Sequence, residues 1–165
     1  MVLQKGLVMR LPMLESQIAL IAVKQAEVRS EWEACRELLR EVSRPEGWDE
    51  VEELISNHIV PGKCIIWYTA TLNADLMGAV VLAEHTFPMK HLTGGWPGLQ
   101  MRGTKPVEIV FLAVRKEYRL RGVDLALLRQ IETYSREEEI TDWYVIFDDR
   151  RLALYNGVGL PFREI

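Results

Sequence analysis

The sequence is poor in the residues from which metal and redox sites are built. Its two cysteines, Cys35 and Cys64, have neither metal-ligand nor C-x-x-C spacing, and its three histidines, His58, His85 and His91, are scattered. This pattern predicts no zinc site and no disulfide framework, and points to two buried, reduced thiols in a cytoplasmic protein. Long apolar runs are missing too, so no membrane-spanning helix is expected. Lys5 and Arg10 interrupt the apolar residues of the first segment, and no small-residue cleavage site follows, so no secretory signal is expected either. Repeats and low-complexity tracts do not occur. Nor does one sign of charge dominate: 20 Lys and Arg stand against 24 Asp and Glu, a net charge of -4. That balance argues against indiscriminate binding to nucleic acid or acidic membranes.

What is present is the composition of an ordinary globular core. In 165 residues, 48% are hydrophobic and 27% charged, which predicts one domain over residues 1–165. Ser16 to Val23, SQIALIAV, is rich in β-branched residues and fits a first strand, and Glu27 to Val42 has helical apolar spacing. A competing pattern runs through Leu14, Ile18, Ile21, Val28, Trp32, Cys35, Leu39 and Val42, as in one coiled-coil-like helix that would serve as a dimerisation arm. After a break at Pro45, Trp48 to His58 reads as a second helix. Lys63 to Leu72 and Asp75 to His85 read as an antiparallel hairpin turning at Asn73 and Ala74. Thr86 to Lys105 lacks a period, as binding loops often do; it carries His91 and Trp96, the candidate acceptor contacts. The alternative for Trp96 is an anchor buried in a packed loop.

The most informative segment is Val107 to Leu128, VEIVFLAVRKEYRLRGVDLALL, in which an apolar strand enters a basic turn and then a helix. Unpaired N–H groups and the macrodipole make a helix N-terminus attractive to anions. Gly122 lets the backbone come close, and Arg115, Lys116, Arg119 and Arg121 surround the turn with positive charge. The same pattern also fits a plain strand-to-helix connection with a solvated basic face. Leu120, Val123, Leu127, Ile131 and Tyr134 form the apolar stripe expected of the helix.

Glu108 interrupts a strand whose apolar residues occupy both parities, the pattern of burial on both faces. A desolvated carboxylate there would have a raised pKa and could act as a general base. A strand-edge glutamate paired with a neighbouring arginine is the alternative.

These residues resemble the GNAT superfamily of N-acetyltransferases. The strand is similar to its E-I-V-F-x-A-V strand, and Arg119, Leu120, Arg121 and Gly122 match the first four positions of its pyrophosphate loop, Q/R-x-x-G-x-G/A. Asp124 departs from that pattern, standing where the family has Gly or Ala. Downstream, Ile140 to Asp148 reads as a strand and Asp149 to Gly159 resembles the family's short helix bearing a tyrosine, here Tyr155.

The resemblance implies an α/β fold: a mixed, mostly antiparallel sheet with helices on both faces, splayed at the central strand. It also implies transfer of an acetyl or longer acyl group from acyl-CoA to a primary amine, with Glu108 as base. Tyr155 would be the acid; a phenol of pKa about 10 can give a proton to a thiolate whose conjugate acid lies near about 8.5. Leu112, Ala113, Val114, Arg119, Leu120, Arg121, Gly122, Val123 and Asp124 fall to the donor site.

A second likeness joins Pro88, Met89, Trp96, Pro97, Leu99, Pro106 and Glu108 to the acyl-homoserine-lactone and N-acyl amino acid synthases, which implies acyl carrier protein as an alternative donor. Phe111 and Val81 replace arginines of those synthases, against lactone synthesis. A catalytically silent binding module of the same fold is the remaining alternative.

Overall fold

A computed structural model describes residues 21–44, 51–71, 73–86, 88, 104–145, 153 and 155–157. The elements are β1 (Lys24–Gln25), α1 (Arg29–Ser43), α2 (Val51–His58), β2 (Cys64–Ala70), β3 (Leu76–Ala83), β4 (Pro106–Val114), a 3-10 turn (Lys116–Tyr118), α3 (Val123–Glu137) and β5 (Asp142–Val145). Tyr155 to Gly157 are helical. The strands form one sheet in chain order, β1-β2-β3-β4-β5. Neighbours are antiparallel except β4 and β5, which are parallel. A parallel pair needs a crossover, and α3 is that crossover.

A strand followed by a helix does open the described chain, but the strand is Lys24–Gln25, and Ile21 to Val23 of the expected strand lie outside it; the single long helix is overturned over residues 21–28. Lys24 and Gln25 pair with Tyr68 and Trp67, and Ala26 N–H donates to the Ile66 carbonyl at 2.9 Å. Two hydrogen bonds then start the helix: Glu31 reaches back with one carboxylate oxygen to the N–H groups of Glu27 and Val28, at 2.9 and 3.2 Å. The strand falls on polar Lys24 and Gln25 because an edge strand pairs through its backbone and leaves its side chains in solvent. Ser16 to Leu20 lie outside the described residues. The hairpin forms as expected, with Ala74 at φ 67 in its turn.

Helices cover both faces. Trp32, Cys35, Leu38 and Leu39 of α1 and Leu54 and Ile55 of α2 pack on Ile66, Tyr68, Ala79, Val81 and Phe111. On the opposite face Val123, Leu127, Leu128 and Ile131 of α3 pack on Trp67, Val80, Leu82, Val107 and Ile109. Full burial of each such aliphatic side chain contributes about 1.5–3 kcal/mol. Both cysteines are free and buried, and loss of solvation pushes each thiol up to about 12.

One irregularity positions the centre of the sheet. Val81 pairs with Phe111 but Leu82 pairs with Ile109, so Val110 is an extra residue, a β-bulge. Before it, Val107 and Ile109 face α3; after it, Phe111 and Ala113 face α1 and α2. The β4–β5 register runs from Pro106–Asp142 to Ile109–Val145. The expected splay beyond that point falls outside the described residues.

Gly78 of β3 sets the approach of α3 to the sheet. A Cβ there would lie 2.8 Å from Val123 Cγ1 and 2.9 Å from the Ala113 carbonyl oxygen, and the second neighbour is backbone. Gly78→Ala is expected to destabilise by about 1–3 kcal/mol, seen as a lower urea midpoint at unchanged m-value.

Glu31 also joins α1 to the sheet, accepting the Tyr68 hydroxyl at 2.7 Å. Backbone donation from Glu27, then Tyr68, holds Glu31 below its ordinary range, while burial and then Glu31 push Tyr68 up to about 12. An unfolded tyrosine ionises near about 10. Folded protein therefore keeps a proton that the unfolded chain has lost, and this stabilisation declines as pH rises from about 10 through about 12. Tyr134 is shifted in the same direction, by burial and then by Glu84. Tyr68→Phe should therefore make the alkaline fall in denaturation midpoint shallower without removing it.

Candidate functional site

β4 leaves the sheet after Val114, and Arg115 N–H still donates to the Met77 carbonyl at 3.0 Å. The chain then turns through Lys116–Tyr118 and reverses at two left-handed residues, Leu120 at φ 61 and Gly122 at φ 78. Glycine takes that conformation without steric penalty; a leucine pays about 1–2 kcal/mol. Leu120 is 85% exposed, so it belongs to the turn and not to the apolar stripe of the helix. The stripe begins at Val123, because α3 itself begins there.

Gly122 is the N-cap of α3 and has no side chain to cap it. The first turn thus presents uncapped N–H groups and the positive end of the macrodipole. Beside it lies an open groove of about 450 Å³ lined by Ile21, Thr71, Met77, Tyr118, Arg121 and Val123.

The expected ring of four cations is reduced. Arg115 reaches across to α1, where Nη2 and Nε donate to Glu41 Oε2 at 2.8 and 3.1 Å. Its charge is matched by that carboxylate and is not directed at the turn. Arg119 Nε donates to the Val114 carbonyl at 3.3 Å, clamping the turn to the end of β4. The Arg121 guanidinium lies 5.8 Å from the centre of the Tyr118 ring, a cation–π contact on the groove wall. Lys116 is exposed.

Glu108 is fully buried, at 0% exposure. β4 lies between β3 and β5, so the strand-edge alternative does not hold. Its cross-strand partners are Ala83 and Tyr144. Paired residues share a face, which puts Glu108 on the α1 and α2 side with Ala83. Leu112 and Val114 lie on the α3 side, and Ala113 on the α1 and α2 side.

Tyr155 is 3% exposed and packs in the α3-side cluster. Glu108 and Tyr155 therefore occupy opposite faces of the sheet. The residue joined to Tyr155 is the departure from the loop pattern: the Tyr155 hydroxyl donates to Asp124 Oδ2 at 3.1 Å. His91 and Trp96 lie outside the described residues.

Two neighbours of the site escaped the sequence reading. Tyr144 falls within the strand that the sequence predicts, but its place beside Glu108 is a matter of register between distant segments. Gly78 could have been found, since a glycine inside an apolar strand marks close approach of another backbone or side chain. Among the described residues no helix is long and apolar enough to cross a membrane, and no group of three or more His, Cys, Asp or Glu could hold a metal ion.

No family model matches the sequence, and no curated protein matches it. Solved structures do resemble it. The aminoglycoside N-acetyltransferase AAC(6')-Iy, in complex with a CoA-containing bisubstrate analogue, superposes with a TM-score of 0.63 at 11% identity, over 88% of this chain and 93% of that one. An aminoglycoside acetyltransferase from an uncultured soil metagenomic sample gives 0.58 at 19% identity, over 88% and 94%. A ribosomal-protein-alanine N-acetyltransferase from Brucella melitensis biovar Abortus 2308 gives 0.55 at 11% identity, over 86% and 87%. With the sheet order, the bulged central strand and the strand–turn–helix described above, these likenesses show that the chain has the GNAT acyltransferase fold, a mixed and mostly antiparallel sheet with helices on both faces.

Proposed function

We propose that the protein is an N-acyltransferase that moves an acyl group from acyl-CoA to a primary amine, acting as a single domain in the cytoplasm. The observation that carries this reading is the course of β4 into α3. One strand holds a fully buried carboxylate, Glu108, and then delivers an uncapped helix N-terminus behind a left-handed glycine. The first suits removal of a proton from an amine and the second suits a pyrophosphate. The likeness to AAC(6')-Iy, which has been crystallised with CoA, supports the donor.

In this mechanism the free amine attacks the thioester carbonyl carbon, and Glu108 takes the proton that the new C–N bond releases, directly or through a water. The C–S bond breaks as the tetrahedral intermediate collapses, and Tyr155 gives its proton to the departing thiolate. Solvent restores the phenol and removes the proton from Glu108, leaving an amide and CoA. Because the two side chains come from opposite faces, a thioester that meets both would have to lie beside β4 beyond its pairing with β5, which ends at Ile109–Val145. The N–H groups of the Leu120 to Asp124 turn, with Arg119 and Arg121, would hold the pyrophosphate. Leu112, Ala113 and Val114 would line the pantetheine arm, and His91 and Trp96 would contact the acceptor.

Asp124 favours a second reading, a fold member that no longer turns over, since it puts a negative charge in the first turn of α3, where a pyrophosphate would dock. Release of free thiol from acetyl-CoA with a panel of amines, aminoglycosides among them, separates the two. Turnover is expected with at least one amine, and Glu108→Gln should lower it by about 10²–10⁴-fold with the donor dissociation constant little changed. Calorimetry that finds no acetyl-CoA binding at millimolar concentration would sink the acyl-CoA reading.

A further inference from the structure

The carboxylate that breaks the loop pattern and the phenol assigned as acid are hydrogen-bonded to each other, at 3.1 Å. Asp124 occupies the first turn of α3, the position where a negative charge gains most from the macrodipole. That is also the position a donor pyrophosphate would use. The protein thus carries an anion of its own in the first turn of α3, and Tyr155, anchored in the α3-side core, donates to it.

We propose that Asp124 and Tyr155 act as one unit that sets the affinity of the site for phosphate-bearing donors: the carboxylate competes with the pyrophosphate for the helix N-terminus, and the phenol moderates that competition by binding the carboxylate. This inference rests on the acyl-CoA reading above. Asp124 is here a specificity-determining residue; it acts on the donor's charge and takes no proton in the reaction. Tyr155 gains a role before chemistry begins, as the donor that shields Asp124. Removal of its hydroxyl leaves the carboxylate with one partner fewer and with more of its charge directed at the turn. Only ligands carrying the pyrophosphate should sense the loss of the Asp124 carboxylate, because pantetheine places no charge at α3.

The test is calorimetric titration of CoA, and of pantetheine as the uncharged control, into the wild type, Asp124→Asn, Asp124→Ala, Tyr155→Phe and Asp124→Asn/Tyr155→Phe. Circular dichroism melts establish that each variant is folded. The two Asp124 variants guard against a misfolded Tyr155→Phe. Loss of the carboxylate is expected to tighten CoA roughly tenfold, by removal of one like charge from a partly screened site. Relative to its effect on pantetheine, Tyr155→Phe should weaken CoA roughly threefold when Asp124 is present and have no further effect when Asn stands there. Pantetheine should bind the wild type and the two Asp124 variants alike, and any effect of Tyr155→Phe on pantetheine measures the hydroxyl's contact with the thiol and is subtracted from its effect on CoA.

A wild type that fails to bind CoA while Asp124→Asn binds it would uphold the inference and overturn the acyl-CoA reading for the native protein. If the wild type binds CoA and Asp124→Asn binds it no more tightly, or if Tyr155→Phe has the same effect in both backgrounds, the inference is wrong and the acyl-CoA reading stands. Failure of every variant to bind CoA overturns both.

Discussion

The bulge at Val110 is the constraint on which the arrangement of this site depends. A strand alternates faces with a period of two, so one extra residue exchanges the faces for everything that follows. Val107 and Ile109 lie under α3, whereas Phe111 and Ala113 lie under α1 and α2. Glu108 consequently shares its face with Val110 and Phe111, enclosed by the α1 and α2 layer, while Leu112 and Val114 are returned to the α3 layer. Without the bulge, Phe111 and Ala113 would face α3, and Leu112 and Val114 would share the face of Glu108.

The turn beyond β4 is held by contacts of very different kinds. Gly78 allows Val123 to approach the sheet within a distance that any Cβ would forbid. Arg119 ties the turn to the last carbonyl of β4. Leu120 and Gly122 then take the two left-handed conformations that reverse the chain. Strain at an exposed leucine persists only where surrounding contacts over-determine the backbone, and turns that bind ligands are where such strain is commonly found. Asp124 adds an electrostatic element that the backbone alone would not have, and Tyr155 couples it to a different segment of the chain.

Much of the fold was legible because hydrophobic periodicity reports burial. α1, α2 and α3 announce themselves by apolar spacing, and β2, β3 and β4 by apolar runs between turn residues. The errors have equally physical sources. The apolar pattern through Leu14 to Val42 satisfied a helix, but Ala26 and Glu31 spend their hydrogen bonds on a strand and a cap that start the helix at Arg29. Leu120 fits the helical stripe in spacing and yet points to solvent, because two left-handed residues precede the helix. Arg115 belongs to the basic turn by position, but Glu41, distant in sequence, matches its charge.

By itself the sequence determined the local chemistry: a glycine-bearing basic turn after an apolar strand, a carboxylate inside that strand, and a tyrosine arriving in register behind them. These are properties of spacing and residue type, which survive without knowledge of what lies across space. Only the tertiary structure decided that Glu108 is fully enclosed, that it and Tyr155 stand on opposite faces, that Arg115 is committed elsewhere, and that Asp124 meets Tyr155. Each of those depends on strand register, on a one-residue bulge or on the packing of segments far apart in the chain, and no local pattern encodes the distance between them.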